Sequence, residues 1–465
     1  MAPRTDRLQA HRGTLLHFRA DPGGSAGSDT ADGGFEYIEE GLLLIENGLV
    51  SAVGPAQVLS STLPADVTVV DHGSDLLLPG FIDTHIHYPQ TDVIGSGGRQ
   101  LLDWLRDYTF PVESKFADAA HGQEVAEFFL DELVRNGTTT ANVFCTVHAA
   151  SVDAFFEAAK RRRMRMVAGK VLMDRNCPEY LRETADEGTR QSRELIERWH
   201  GNDRLLYAIT PRFAPTSSEA QLASAGQLAA EYPEVFIHSH LAENCDEVAW
   251  VKELFPQARS YLDVYDGFGL LRDRAVYAHC LHLDGMDRNR MAQSGAAVAF
   301  CPTSNLYLGS GLFDIAAADA ARLRFSIATD VGGGSSFSML RTMGEAYKVA
   351  QLSGQHLTAL RAFYLATLGG ARALGLEGRI GSFAVGAEAD FIALDLCATP
   401  LLARRTAQSR TLEEKLQVLM TLGDDRAIRA AYILGRQVYG PFPSSPRRRG
   451  SIFIPDPDGS PPTRG

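Results

Sequence analysis

Two histidines separated by one residue, His85 and His87, end an apolar stretch that begins at Gly80. The stretch predicts a buried strand that stops before Pro89, because proline cannot donate to a β-ladder. Side chains two residues apart in a strand point to the same face. Both imidazoles can therefore bind one metal ion, as in zinc sites with bonds of roughly 2.0–2.1 Å. The alternative, two half-exposed loop histidines, is disfavoured by further candidate ligands downstream.

Those candidate ligands follow other apolar runs of the sequence. In the run that contains His238 and His240, we choose His240 as the ligand because it lies nearer the end of the run; His238 is then a core histidine. The predicted metal ligands are His85, His87, His240 and Asp330. Three imidazoles and one carboxylate leave a coordination position for water, which is typical of a catalytic zinc site. Such an ion lowers the pKa of its water to about 7, so hydroxide would be available for attack at neutral pH.

A proton carrier is also needed, and Glu243 lies three residues after His240. A carboxyl group with a raised pKa could pass a proton to a ring nitrogen and later to a leaving amine. Glu243 could also stabilise the start of a helix predicted at 244–254, because acids are favoured there. His279 could polarise the attacking water or could be a core histidine, and Asp330 could take up the proton of the water. The predicted catalytic residues are Glu243, His279 and Asp330.

Two other metal chemistries agree less well with the sequence. A site with two ions would normally need a lysine at the end of the fourth predicted strand, but that end reads Ala-Ile-Thr-Pro, and Lys170 lies towards the middle of the third. A zinc site of the cytidine deaminase type needs His-x-Glu with Pro-Cys-x-x-Cys. Here the order of Pro and Cys is reversed at residues 177–178 and 301–302. The sequence therefore favours one metal ion.

The elements that position these residues are eight apolar, β-rich runs with helical periodicity between them. The runs lie at residues 80–85, 138–145, 164–173, 205–211, 235–240, 275–280, 296–301 and 324–330. Continuous apolar runs are typical of parallel strands buried on both faces. Alternation of eight strands with helices predicts an α/β fold with a (β/α)8 TIM-like barrel, in which catalytic groups lie at the carboxyl ends of the strands.

Short strands flank the barrel on both sides in the sequence. We predict one near residues 14–20 and hairpin turns at residues 46–48 and 435–436. The predicted domains are a partly flexible N-terminal segment (1–34), a small β-sandwich-like domain (35–78 plus 380–440), the metal-binding barrel (79–379) and a disordered tail (441–465) rich in Pro, Ser, Gly and Arg. Both ends of the chain would thus build the small domain.

Composition excludes several classes of protein. The chain has 465 residues and a net charge of −12, which argues against a nucleic-acid partner because no excess of basic residues supplies phosphate contacts. Six scattered cysteines without a Cys-x-x-Cys pair suit a reducing compartment. No apolar run approaches ~18 residues, so neither a membrane span nor secretion is supported. We expect a cytoplasmic protein without a membrane or nucleic-acid partner.

Several segments of the sequence resemble the amidohydrolase superfamily and, within it, the guanine deaminase family. The resemblance is carried by residues 79–91, 101–105, 109–111, 210–216, 238–244, 278–280 and 328–334. His-x-His marks only the superfamily, whereas His-Tyr-Pro-Gln together with Pro-Arg-Phe is much more specific. The resemblance covers about residues 35–440, and the two terminal segments have no counterpart in it.

The resemblance implies hydrolytic deamination of guanine to xanthine and ammonia with one zinc ion per subunit. It places the four predicted ligands at the metal positions of the family and implies a homodimer. The implied substrate-binding residues are His87, Gln90, Arg212, Phe213 and Glu243. Arg212 can donate to the purine carbonyl oxygen, Gln90 can donate and accept, and Phe213 can cover a ring face. A salt bridge at the rim for Arg212 and simple packing for Phe213 are the alternatives.

Two other functions stay open. The chain could deaminate another aminoheterocycle, such as a pterin, a triazine or a different purine. It could also be an inactive barrel that serves as a binding protein or scaffold, which the presence of every proposed ligand disfavours.

Overall fold

The computed structural model describes residues 8–23, 33–97 and 100–441. Most of the tail predicted to be disordered, and residues 1–7 and 24–32 of the N-terminal segment, lie outside the described residues. The strands are β1 (Gln9–Phe18), β2 (Phe35–Glu46), β3 (Leu49–Pro55), β4 (Val69–Pro79), β5 (Phe81–His87), β6 (Thr138–Phe144), β7 (Arg165–Gly169), β8 (Val171–Leu172), β9 (Leu205–Pro211), β10 (Phe236–Leu241), β11 (Ala275–His279), β12 (Ala297–Phe300), β13 (Arg324–Ile327), β14 (Phe391–Leu394), β15 (Ile428–Ile433) and β16 (Arg436–Tyr439).

Helices connect most of these strands. They are α1 (Ala56–Leu59), α2 (Leu101–Trp104), α3 (Phe110–Glu113), α4 (Ala119–Arg135), α5 (Ala149–Arg162), α6 (Ala185–Trp199), α7 (Glu219–Glu231), α8 (Cys245–Leu254), α9 (Tyr261–Gly267), α10 (Gly285–Ser294), α11 (Pro302–Tyr307), α12 (Ile315–Ala320), α13 (Met339–Leu352), α14 (Ala359–Leu365), α15 (Leu368–Ala373), α16 (Pro400–Thr406) and α17 (Leu412–Leu422). In the described part of the chain, no helix is long and apolar enough to cross a membrane.

The larger sheet is parallel and follows the order β5, β6, β7, β9, β10, β11, β12, β13, with β8 pairing beside β9. Helices α4 to α12 lie between its strands in the sequence. Each of the eight predicted runs contains or overlaps a strand of this sheet. Every residue of β5 and β6 is buried, as expected for parallel strands that are covered on both faces. The predicted TIM-like barrel is confirmed.

The barrel is nearly closed by contacts between its first and last strands. The amide of Asp330 donates to the carbonyl oxygen of His85 (3.0 Å), and the amide of His87 donates to that of Val331 (2.9 Å). These bonds bring the end of the last strand beside the His-x-His segment. Two groups of predicted ligands that are more than 240 residues apart in the sequence therefore become neighbours.

The smaller sheet has the order β16, β15, β14, β4, β1, β2, β3, so both ends of the chain build it as predicted. Rather than two separate layers, these strands form one continuous sheet in which β1 is parallel to β4 and antiparallel to β2. The strand predicted near residue 14 begins earlier, at Gln9. Since β1 belongs to this sheet, a boundary at residue 35 leaves out one of its inner strands. The division into domains stays a prediction.

A buried cluster of charges joins the barrel to the smaller sheet. Arg204, before β9, pairs with Glu388 and Asp390, and Arg165 of β7 pairs with Glu388. The side chains of both arginines and of Asp390 are almost fully buried. Removal of one partner from such a pair leaves an uncompensated buried charge.

We expect Arg204→Ala to lower the free energy of unfolding by about 3 kcal/mol, measured by urea denaturation. The matched control is Arg190→Ala, because Arg190 pairs with two exposed carboxylates on the surface of α6. That substitution should change stability far less. Equal stability losses in the two variants would contradict a role for the buried cluster in holding the sheet against the barrel.

Candidate active site

The carboxyl ends of three barrel strands bring together the four predicted metal ligands, His85, His87, His240 and Asp330. The Nε2 atoms of His85 and His87 lie 3.1 and 3.3 Å from Oδ1 of Asp330. Nε2 of His87 is 3.2 Å from that of His85 and 3.3 Å from that of His240. Donor atoms arranged tetrahedrally at roughly 2.0–2.1 Å from a zinc ion lie about 3.3 Å apart, so these spacings fit one ion.

The protonation states of these groups also suit a cation. Burial lowers the pKa of His85, lowers that of His87 to about 3 and holds that of His240 well below its usual value, so the imidazoles are neutral. Burial opposes ionisation of Asp330, but hydrogen bonds from His85 and His87 hold its pKa well below the usual range. His240 donates from Nδ1 to the carbonyl oxygen of Arg212 (2.7 Å), which leaves its Nε2 lone pair directed at the cluster.

His238 lies deeper in the barrel than His240. Its Nε2 is 2.8 Å from Nδ1 of His85, and the side chain is fully buried. It therefore contacts the outer nitrogen of a predicted ligand, whereas His240 reaches the cluster itself. A neighbour of this kind fixes the ring orientation of the ligand, a role that the sequence did not predict for His238.

The predicted proton carrier Glu243 lies next to His279. Its Oε2 is 3.3 Å from Nε2 of His279, and Oε1 accepts a hydrogen bond from Ser310 (3.3 Å). Burial, with a smaller contribution from Asp330, raises the pKa of Glu243 well above its usual value. The structure thus places a carboxyl group that readily holds a proton beside the cluster of predicted metal ligands.

The backbone of Glu243 is held by the following helix. Asn244 caps α8, and Oε2 of Glu247 accepts from the amides of Glu243 (2.8 Å) and Asn244 (3.1 Å). The helix predicted at 244–254 is confirmed with this start. Glu247 supplies the acidic side chain that completes the cap of α8, and Glu243 lines the cavity.

One cavity contains most of the predicted site residues. It is lined by His87, Gln90, Arg212, Phe213, His240, Glu243, His279 and Asp330. Leu308 and Gly333 also line it, and the rest of its wall is formed by three apolar side chains, Leu101, Trp104 and Leu105. They come from a helical segment in which α2 continues through a π-helical turn (Leu105–Thr109) into α3. Such turns are frequent at functional sites. A cavity lined by polar side chains and by apolar side chains suits a planar, partly polar molecule.

The sequence comparisons assign the family. The amidohydrolase family profile matches residues 76–438. The guanine deaminase of Escherichia coli (strain K12) is 53% identical over 403 residues, which cover 87% of this chain and 92% of that one.

The chain belongs to the amidohydrolase family.

Solved structures agree with this assignment. E. coli guanine deaminase superimposes with a TM-score of 0.90 at 50% identity, over 93% of this chain and 99% of that one. Guanine deaminase from C. acetobutylicum, solved with guanine bound in its active site, gives a TM-score of 0.83 at 28% identity, over 93% and 100% of the two chains. The resemblance found in the sequence is therefore confirmed, and this amidohydrolase is a hydrolase of carbon–nitrogen bonds.

Two buried acids of this amidohydrolase were missed by the sequence analysis. Asp83 accepts from the amide and the hydroxyl of Thr329 and from the amide of His85, so it ties the first strand to the last. Burial raises its pKa to about 7. Glu113, at the end of α3, contacts Gln90 and Arg212. An acid within a largely apolar stretch was the available signal in both cases.

Proposed function

We propose that this amidohydrolase deaminates guanine, giving xanthine and ammonia. The observation that carries the proposal is a single cavity in which the metal cluster lies beside Gln90, Arg212 and Phe213. The relative from E. coli, which is similar over most of both chains, is a guanine deaminase. The structure from C. acetobutylicum has guanine in its active site. Together these support guanine as the substrate.

We propose His85, His87, His240 and Asp330 as ligands of one zinc ion per subunit. Neutral imidazoles and an ionised carboxylate at the observed spacings suit zinc, although the same donor set also binds other divalent ions. When bound, zinc would lower the pKa of its water to about 7 and so supply a nucleophile at neutral pH.

The proton transfers fall to the side chains around the cluster. Asp330 accepts a proton from the attacking water, and His279 polarises that water. Glu243 gives its proton to a ring nitrogen of the purine as the new C–O bond forms at the carbon that bears the amine. The proton of the new hydroxyl group then passes to Glu243, which gives it to the amine as the C–N bond breaks. The proton taken up by Asp330 restores Glu243, so that guanine and water yield xanthine and ammonia.

The purine is held by three other side chains that line the cavity. Arg212 donates to the carbonyl oxygen, and the amide of Gln90 offers both a donor and an acceptor. Phe213 covers a ring face. A cavity that is built to form hydrogen bonds with one edge of a purine disfavours molecules that leave its groups unpaired, such as adenine.

The test combines a metal assay with ammonia release from guanine, adenine, a pterin and a triazine. We expect about one zinc ion per chain and release of ammonia and xanthine from guanine. Zinc-loaded protein that releases ammonia from another compound but not from guanine would assign that compound as the substrate. Protein that binds guanine without releasing ammonia would indicate an inactive barrel. The homodimer and the cytoplasmic location stay predictions.

A further inference from the structure

Glu113 is a buried carboxylate that bonds to two of the proposed purine-binding side chains. Its side chain is 1% exposed and does not line the cavity. Oε1 accepts from Nε2 of Gln90 (3.1 Å) and from Nη1 of Arg212 (3.0 Å), and Oε2 accepts from the same Nη1 (2.7 Å). The two residues that Glu113 joins are 122 positions apart in the sequence (212 − 90). They therefore share a support behind the cavity wall.

The partners of Gln90 determine the direction of its amide. A carboxylate can only accept, so the group that faces Glu113 must be the NH2 of Gln90. A backbone amide can only donate, and that of Gly332 donates to Oε1 of Gln90 (3.1 Å). Both contacts agree on one orientation. Gln90 then keeps one N–H and one lone pair that neither bond uses, which gives it a fixed pattern of one donor and one acceptor.

Arg212 is held by the helix that carries Glu113, α3. Its guanidinium carbon lies 5.2 Å from the centre of the Phe110 ring, and the bonds to Glu113 both use Nη1. Phe110 and Glu113 are the first and last residues of α3. Phe110 thus covers one face of the guanidinium, and Glu113 holds one of its nitrogens. An arginine held in this way loses less side-chain entropy when it binds a ligand.

We propose that Glu113 is a positioning residue that sets the hydrogen-bonding pattern presented to the purine by Gln90 and Arg212. This rests on the proposed function, because the ligand that the two side chains contact is taken to be guanine. Glu113 does not touch the reacting atoms, so its effect falls on binding of guanine rather than on the proton transfers.

The substitution Glu113→Gln tests this role with almost no change of shape. A carboxylate offers two acceptor atoms, whereas an amide offers one acceptor and one donor. If the amide oxygen of the new glutamine faces Gln90, the NH2 group of the same glutamine faces Nη1 of Arg212. Two donors then meet and no hydrogen bond forms between them. We expect KM for guanine to rise about 10- to 100-fold, with kcat changed far less and zinc content unchanged, as for a buried charged donor left unpaired.

Two further variants separate positioning from folding. Glu113→Asp keeps the charge and both acceptors, so its KM should lie between those of Glu113→Gln and the unchanged protein. Asp390→Asn also removes the negative charge of a buried ion pair with an arginine, Arg204, but at the junction between the barrel and the smaller sheet. It should lower the melting temperature and leave KM unchanged. If Glu113→Gln does not fold, a raised KM in Glu113→Asp supports the proposal.

Each other outcome counts against a specific statement. If the unchanged protein turns over guanine and Glu113→Gln has the same KM but a lower melting temperature, Glu113 is only structural and the inference is wrong. If Glu113→Gln folds only poorly and Glu113→Asp shows an unchanged KM, the inference is also wrong. If the unchanged, zinc-loaded protein does not turn over guanine, both the proposed function and the inference are wrong.

Discussion

Replacement of Glu243 by glutamine is expected to lower kcat for guanine by about 10³ while the zinc content stays the same. The amide of glutamine matches the carboxyl group in size but cannot pass a proton between the ring nitrogen and the leaving amine. Glu243 lies beside His279 and Ser310 but is not one of the proposed ligands, so the metal cluster is preserved. The measurements are steady-state ammonia release and metal analysis of the purified variant.

The matched control for this variant is Glu183→Gln. Glu183 is also a mostly buried glutamate near the rim of the barrel, where it pairs with Lys170, but it does not line the cavity. Its substitution should lower stability without lowering kcat. A Glu243→Gln variant that keeps the kcat of the unchanged protein would assign the proton transfers to another residue. Loss of zinc in that variant would instead place Glu243 among the groups that hold the metal.

The sequence predicted the barrel well because burial leaves a strong signal in its strands. A parallel strand covered on both faces is rich in apolar residues, and several of the polar residues that bind or react stand where a strand reaches the rim. His87, Asp330 and Arg212 stand at such positions, so their meeting at one rim follows from the order of strands alone. The start of β1 was predicted less accurately, because three of its first four residues, Gln9, His11 and Arg12, are polar.

The residues that support the site were harder to predict, since their roles depend on contacts across the fold. Glu113 bonds to the proposed purine-binding residue Gln90, and Glu247 and Ser310 bond to the proposed proton carrier Glu243. None of the three stands at the end of a strand. His238 shows the same limit. Its position two residues before His240 predicts a shared face, but only the packing of the barrel decides that it meets His85 from behind. Periodicity predicts the face of the strand on which a side chain lies, but it does not predict which residue that side chain contacts.

Arg212→Ala is expected to have the largest effect on substrate use, a fall of about 10⁴ in kcat/KM for guanine. The substitution removes the donor to the purine carbonyl and leaves the buried carboxylate of Glu113 without its cation. Zinc content should not change. His240 is oriented by the main-chain oxygen of Arg212 rather than by its side chain, and that hydrogen bond survives in the alanine variant.

Arg212→Lys separates the two consequences of losing the arginine. Lysine restores a positive charge beside Glu113 but lacks the planar fork with several fixed donors, so stability should recover more than activity does. Steady-state kinetics with guanine, thermal unfolding and metal analysis of both variants give the comparison. If Arg212→Ala lost zinc in proportion to activity, its side chain would be supporting the metal cluster instead of the purine. If Arg212→Lys were as active as the unchanged protein, charge alone would explain the contribution of this residue.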